Sequence, residues 1–286
     1  MRWLDDIRAV RLGAEDLDTS VAFATEILGL QLVRRDARRA YLRAGAGADH
    51  HVCYVKGGGL DAEALEFAVP HGTSLGAAAD ALAKTGYLVR EGTKLECEER
   101  RVAEAVVLVD PTGNRIELVG GQETAPTWTP SRDAGITEFS HVGLRTTDAP
   151  RDERFWLGMG ARVSDWIGET PLLRTDEIHH RIALFPSNRR GVQHVNFQVG
   201  GVDDVMRAYY FLRERGVPIV FGPGRHPTSS AMFCYFQGPD GIIYEYSAGV
   251  RLITDEASYE PRRFPKTASS FCMWGSKPDI EEFRAP

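Results

Sequence analysis

His141, His194 and Glu245 are the residues whose types and settings could do metal chemistry. Each lies in a strand-like run: HVGLR, QHVNFQV and YEYS. Two imidazoles and one carboxylate form the ligand set of a facial-triad Fe(II) site, which leaves neighbouring coordination positions open for substrate and O2. A lone histidine on a strand is more often structural than a ligand. The trio gains weight only from the elements that must position it.

Those elements repeat. DLDTSVAFATEILGLQLVRRD, from Asp16, resembles DAPRDERFWLGMGARVSDW, from Asp148. Each reads as an acidic turn, an amphipathic helix, a glycine-containing break and a strand. YLRAGAGADHHVCYV matches LLRTDEIHHRIALF and pairs His50–His51 with His179–His180. ALEFAVP matches HVNFQVG, and VDPTGNRIELVG matches QGPDGIIYEYSAG, all at offsets of 128 to 132 residues. In this alignment Ala9 stands opposite His141, Ala64 opposite His194 and Glu117 opposite Glu245. Only the carboxylate survives in the first half. A lone carboxylate holds a transition metal poorly, so a single metal is expected in the second half.

Each half divides again, giving an α+β fold of four βαβββ modules in two tandem domains. VDDVMRAYYFLRERG has helical apolar spacing and a glycine stop, while PTGN and PDG read as turns between strands. The expected boundaries are a metal-free domain at 1–120, a linker at 121–135, a metal-bearing domain at 136–250 and a C-terminal extension at 251–286 that covers the pocket.

The composition, 43% hydrophobic and 26% charged over 286 residues, is globular. No apolar run approaches the roughly 20 residues needed to cross a bilayer. The net charge of −6 argues against nucleic acid as a partner. The N-terminal MRWLDDIRAV has no apolar signal core, and Cys53, Cys97, Cys234 and Cys272 form no CxxC. Both features suggest a cytoplasmic protein with reduced thiols. Repeated modules with sheet edges suggest a homo-oligomer. No GxGxxG or P-loop is present.

With the trio and the four modules in view, the chain resembles the type I extradiol ring-cleavage dioxygenases of the vicinal-oxygen-chelate superfamily. The resemblance spans nearly the whole chain and is strongest from Glu138 to Gly249. It implies His141, His194 and Glu245 as ligands of Fe(II), with Mn(II) an alternative that residue types do not decide. It also implies three further residues. His180, in IHHRIALF, stands fourteen residues before His194 and would be the acid–base catalyst on the O2 side. His226, in GPGRHPTSS, and Tyr235, ten residues before Glu245, would hydrogen-bond the substrate oxygens. The implied reaction opens a catechol-type ring next to its diol and incorporates both atoms of O2.

Blander readings stand beside these. His179–His180 could be an exposed polar pair, His226 could cap a turn, and Tyr235 in AMFCYF could be aromatic core. Glu117 reads as a relic or a surface-paired carboxylate. The cluster Glu98–Arg101 and the EEFR tail read as solvated surface. Other functions also stay open: a glyoxalase-like isomerase, an epoxide-opening transferase or a non-catalytic aromatic-binding protein. The isomerases and transferases generally have a fourth protein ligand or a shorter two-module chain, and the binding proteins lose the ligands. Pocket candidates are Gly143, Leu172, Phe185, Thr228 and Trp274, with small Gly143 favouring a bulky or bicyclic catechol.

Overall fold

The computed structural model describes residues 2–284. The first half supplies β1 (Ile7–Ala14), β2 (Gln31–Arg35), β3 (Arg39–Arg43), β4 (Val52–Lys56), β5 (Ala64–Ala68), β6 (Val89–Glu91), β7 (Glu104–Val109) and β8 (Arg115–Gly120). The second supplies β9 (Ile136–Thr146), β10 (Arg162–Ile167), β11 (Thr170–Arg174), β12 (Ile182–Pro186), β13 (Gly191–Val199), β14 (Ile219–Arg225), β15 (Met232–Gln237) and β16 (Ile243–Ala248). A short β17 (Arg262–Phe264) lies in the C-terminal extension.

The sheet orders are β2-β3-β4-β1-β5-β8-β7-β6 and β14-β15-β16-β13-β9-β12-β11-β10-β17. Each sheet is two βαβββ modules joined edge to edge. The joins are antiparallel, β1 to β5 and β9 to β13. Within a module the first strand runs parallel to the last, as β1 does to β4 and β13 to β16. β17 extends the second sheet beyond the plan by pairing with β10.

The acidic turns that open the two repeats are helix N-caps. Asp16 accepts from the Thr19 amide at 3.0 Å and Asp148 from the Arg151 amide at 3.1 Å. Helix Val202–Glu214 buries Val205, Ala208 and Leu212 along one stripe. Gly216, with φ of 68°, takes the left-handed turn after it.

One apolar core runs through both halves. Phe67 meets Trp156 at 5.7 Å between ring centroids, and Tyr87 meets Phe155 at 4.8 Å. The hydroxyls of Tyr54 and Tyr244 share a hydrogen bond of 2.7 Å. Asn114 accepts from the Gly191 amide at 2.8 Å and donates to the Arg145 carbonyl at 3.0 Å. The segment 121–135 is irregular but tied down: Arg132 donates to the Ile27 carbonyl at 2.6 Å and lies over the Phe211 ring.

Strand register corrects one sequence pairing. The amide of Val10 donates to the His51 carbonyl, and that of Val142 donates to the Arg181 carbonyl. His50 is therefore the counterpart of His180, and His51 that of Arg181. His179 and His180 are buried, so they are no exposed pair. The charge clusters also need revision. Glu98 and Arg101 are exposed, but Arg100 is buried, and so are Glu282 and Phe283 of the EEFR tail.

Candidate metal centre

Register gathers the trio onto one face. Asn196 on β13 stands opposite His141 on β9 and opposite Glu245 on β16. His194 lies two residues before Asn196 and shares its face. The Nε2 atoms of His141 and His194 are 3.0 Å apart. Oε2 of Glu245 is 3.1 Å from the first and 3.5 Å from the second. The three residues form a buried cluster whose ligand atoms lie within 4.8 Å of one another.

The donor chemistry fits a divalent cation. Gln193 Oε1 contacts His194 Nδ1 and can accept its proton, which leaves Nε2 as a lone pair aimed at the cluster. Burial pushes the His194 pKa down to about 3, so the ring stays neutral, as a ligand must. Both Glu245 carboxylate oxygens are buried without a hydrogen-bonding partner. Such orphaned acceptors are rare in native interiors. A cation among two lone-pair nitrogens and this carboxylate resolves that, and the set suits Fe(II) or Mn(II).

The other site candidates surround the trio. Tyr235 on β15 is the register partner of Glu245. Burial raises its pKa well above the usual value, so the phenol keeps its proton. His226 follows β14 and stacks on Phe233 with 3.9 Å between centroids. Its Nδ1 donates to the Phe271 carbonyl at 2.7 Å, so Nε2 accepts from the Tyr235 hydroxyl at 3.2 Å. The His180 ring lies 4.3 Å from that of His141.

The pocket candidates divide. Leu172 and Phe185 belong to a buried apolar cluster with Phe221, Tyr235, Phe271 and Phe283, and Phe185 lies 5.8 Å from the His194 ring. Gly143 does not enlarge a pocket. A Cβ there would fall 2.6 Å from Cε1 of His194 and 2.9 Å from Oε1 of Gln193. The glycine instead admits the ligand ring. Thr228 is buried, with its carbonyl accepting from Arg262 at 2.8 Å. Trp274 is exposed and is not brought into the cluster.

The extension contributes what local sequence did not signal. Phe283 packs on Phe185 at 4.8 Å and on Tyr235 at 5.6 Å. Beside it, Glu282 accepts from Arg145 Nε at 2.5 Å. Gln193, Glu282 and Phe283 were all missed in the sequence. Only Gln193, adjacent to His194, carried a positional hint.

In the first half the same face holds Ala9, Glu66 and Glu117 in register, with Ala64 in the place of His194. Glu117 is buried and so is no surface group, and it is bound by Arg100, Arg11 and Arg115.

Residues 138–246 match the Glyoxalase/Bleomycin resistance protein/Dioxygenase superfamily. Over 271 residues the chain is 25% identical to 1,2-dihydroxynaphthalene dioxygenase of Sphingobium xenophagum, covering 88% of this chain and 90% of that one. The crystal structure of BphC, a halotolerant catechol dioxygenase, superposes with a TM-score of 0.88 at 24% identity, covering 99% and 97% of the two chains. An Mn(II)-bound glyoxalase from Novosphingobium aromaticivorans superposes with a TM-score of 0.86 at 24% identity, covering 100% and 96%. A glyoxalase can therefore share the full four-module length, so chain length alone does not separate it from a dioxygenase. Residues 138–246 form a domain of the Glyoxalase/Bleomycin resistance protein/Dioxygenase superfamily, set within the four-module fold shared with BphC.

Proposed function

We propose that this protein is an extradiol dioxygenase that opens an uncharged catechol-type ring with O2. In this reading His141, His194 and Glu245 hold Fe(II), or Mn(II) in its place. Residues 136–250 are the catalytic domain, 1–120 a metal-free partner domain, 121–135 the linker and 251–286 the cover. The observation that carries the reading is the pairing of two groups of residues. A buried carboxylate without hydrogen-bond partners completes a two-histidine cluster, and a tyrosine–histidine hydrogen bond adjoins it.

The bound metal would hold diol and O2 side by side and carry electrons between them. The protein residues do the rest. A substrate oxygen arriving beside the trio would take the Tyr235 proton in place of His226 Nε2, which holds the hydroxyl on that side until the diol binds. His180 exchanges a proton with the reacting oxygens. The apolar wall of Leu172, Phe185, Phe221 and Phe283 keeps out water and receives the substituent. Arg145 is already neutralised by Glu282 and offers no free cation to a substrate carboxylate.

A glyoxalase-like isomerase is the second reading, favoured by the Mn(II)-bound neighbour of full length. Protein reconstituted anaerobically with Fe(II) should consume one O2 per 2,3-dihydroxybiphenyl and give a yellow ring-opened product. Stoichiometric iron with no O2 uptake on any catechol, but with turnover of a thiol–aldehyde adduct, would overturn the proposal in favour of the isomerase.

No helix among the described residues is long and apolar enough to cross a membrane. Four free cysteines support a reducing, cytoplasmic setting, and sheet edges at β14 and β6 support a homo-oligomer. Neither partner nucleic acid nor a membrane is part of the proposal.

A further inference from the structure

A second buried chain of polar groups leads away from His180. Its Nδ1 lies 3.1 Å from Nδ1 of His179. Nε2 of His179 lies 2.9 Å from Oδ2 of Asp165, and both of these side chains are fully buried. Asp165 is held from its other side by Arg262 of β17. The Arg262 backbone amide donates to Oδ1 at 2.8 Å, and its guanidinium donates to Oδ2 at 2.6 Å. Burial alone would raise the Asp165 pKa, but the hydrogen bonds from His179 and Arg262 bring it below the ordinary value.

Proton bookkeeping along this chain has one solution. An ionised carboxylate only accepts, so His179 donates from Nε2. Neutral His179 then has a lone pair on Nδ1, and His180 must donate to it from its own Nδ1. We infer that Asp165, acting through His179, fixes His180 as the Nδ1–H tautomer and leaves its Nε2 unprotonated beside the metal trio. Nε2 of His180 has no hydrogen-bond partner among the described residues. Asp165 and His179 are positioning residues, and Arg262 makes the C-terminal extension part of the catalytic apparatus.

The other half lacks this arrangement. Register places Asp49 at the position of His179 and Arg34 at that of Asp165, and His50 Nδ1 meets the Asp49 carboxylate directly at 3.1 Å. The histidine relay belongs only to the half with the trio.

The inference rests on the dioxygenase reading for the use of His180, but its test does not. Metal-free protein labelled with 15N-histidine reports tautomers in long-range proton–nitrogen spectra, with His180 assigned by its loss in His180→Gln. The expected wild-type pattern is a pyrrole-type Nδ1 and a pyridine-type Nε2. In Asp165→Asn, the Arg262 amide and Nε keep the carbonyl oxygen, Arg262 Nη2 is left with the Thr228 carbonyl, and the amide NH2 faces His179. Every donor in the chain then reverses, and His180 becomes the Nε2–H tautomer. With Fe(II) loaded, kcat should fall about 100-fold or more while iron content and KM stay near wild type. His179→Leu, which breaks the chain without reversing it, should give mixed tautomers. An Nε2–H tautomer in the wild type, or an unchanged tautomer in both variants, overturns the inference. The expected spectra together with absent ring cleavage would instead overturn the dioxygenase reading alone.

Discussion

The Arg100 guanidinium grips Glu117, the counterpart of Glu245, through Nε to Oε2 and through Nη2 to Oε1 at 2.7 Å. Arg11 and Arg115 complete the shell. Fixed cations thus satisfy in one half the carboxylate that is left without a partner in the other. Burial would push the Glu117 pKa up, but the three arginines hold it down at about 2.

Removing the grip leaves a buried charge short of its main partner. Arg100→Met should cost about 3–5 kcal/mol of stability, read as a lowered midpoint in urea denaturation. Metal stoichiometry should remain one per chain, since Ala9 and Ala64 supply no imidazole.

Glu66, beside Glu117, has its pKa pushed up to about 7, chiefly by burial and then by Glu117, against the pull of Arg100, Arg11 and Arg8. The native state therefore holds a proton that the unfolded chain releases above the ordinary value of 4.5. Its contribution to stability is present below that value and is lost as pH rises through about 7. Glu66→Gln should raise Tm over wild type at pH ~8 by several degrees and at pH ~5 by much less. Equal shifts at both pH values would refute the assignment.

Gly143 is required by the His194 ring. Gly143→Ala should leave the fold intact by circular dichroism yet lower Fe(II) affinity roughly 10–100-fold, a loss typical of displaced metal-site support. Metal titration after gel filtration checks this.

Phe283 and Glu282 close the apolar wall from the tail. Phe283→Ala should shift relative kcat/KM several-fold from catechol toward larger aryl-substituted catechols, because the vacated volume lies next to Phe185 and Tyr235. In the parent protein, 3,4-dihydroxyphenylacetate should be at least about 10-fold poorer than 2,3-dihydroxybiphenyl, since Arg145 is tied to Glu282 and does not pair with its carboxylate.

Tyr235→Phe removes the hydroxyl that meets His226. Iron content should hold and kcat should drop about 10²-fold, measured as O2 uptake at saturating catechol.

The trio was legible because strands impose a fixed geometry on repeated positions. Once the halves align, Ala9, Ala64 and Glu117 identify the silent face opposite His141, His194 and Glu245 without any coordinates. His50 was harder to place. The segments before β4 and β12 differ in length, so a residue-by-residue match slid by one, and only the Val10 and Val142 amides set the register. Gly143 looked like spare room because a sequence shows an absent side chain but not the neighbour that fills its volume.

The amino-acid sequence by itself determined the four modules, the half that carries the trio and the residue types of the metal centre. These follow from periodicity and repetition along the chain. Tertiary structure alone decided how those residues are held. Asp165 reaches His179 and Arg262 across paired strands, Arg145 finds Glu282 at 137 residues' separation, and Phe283 folds back onto the pocket wall. Such contacts are made between sheet neighbours and a returning tail, and no local pattern encodes them.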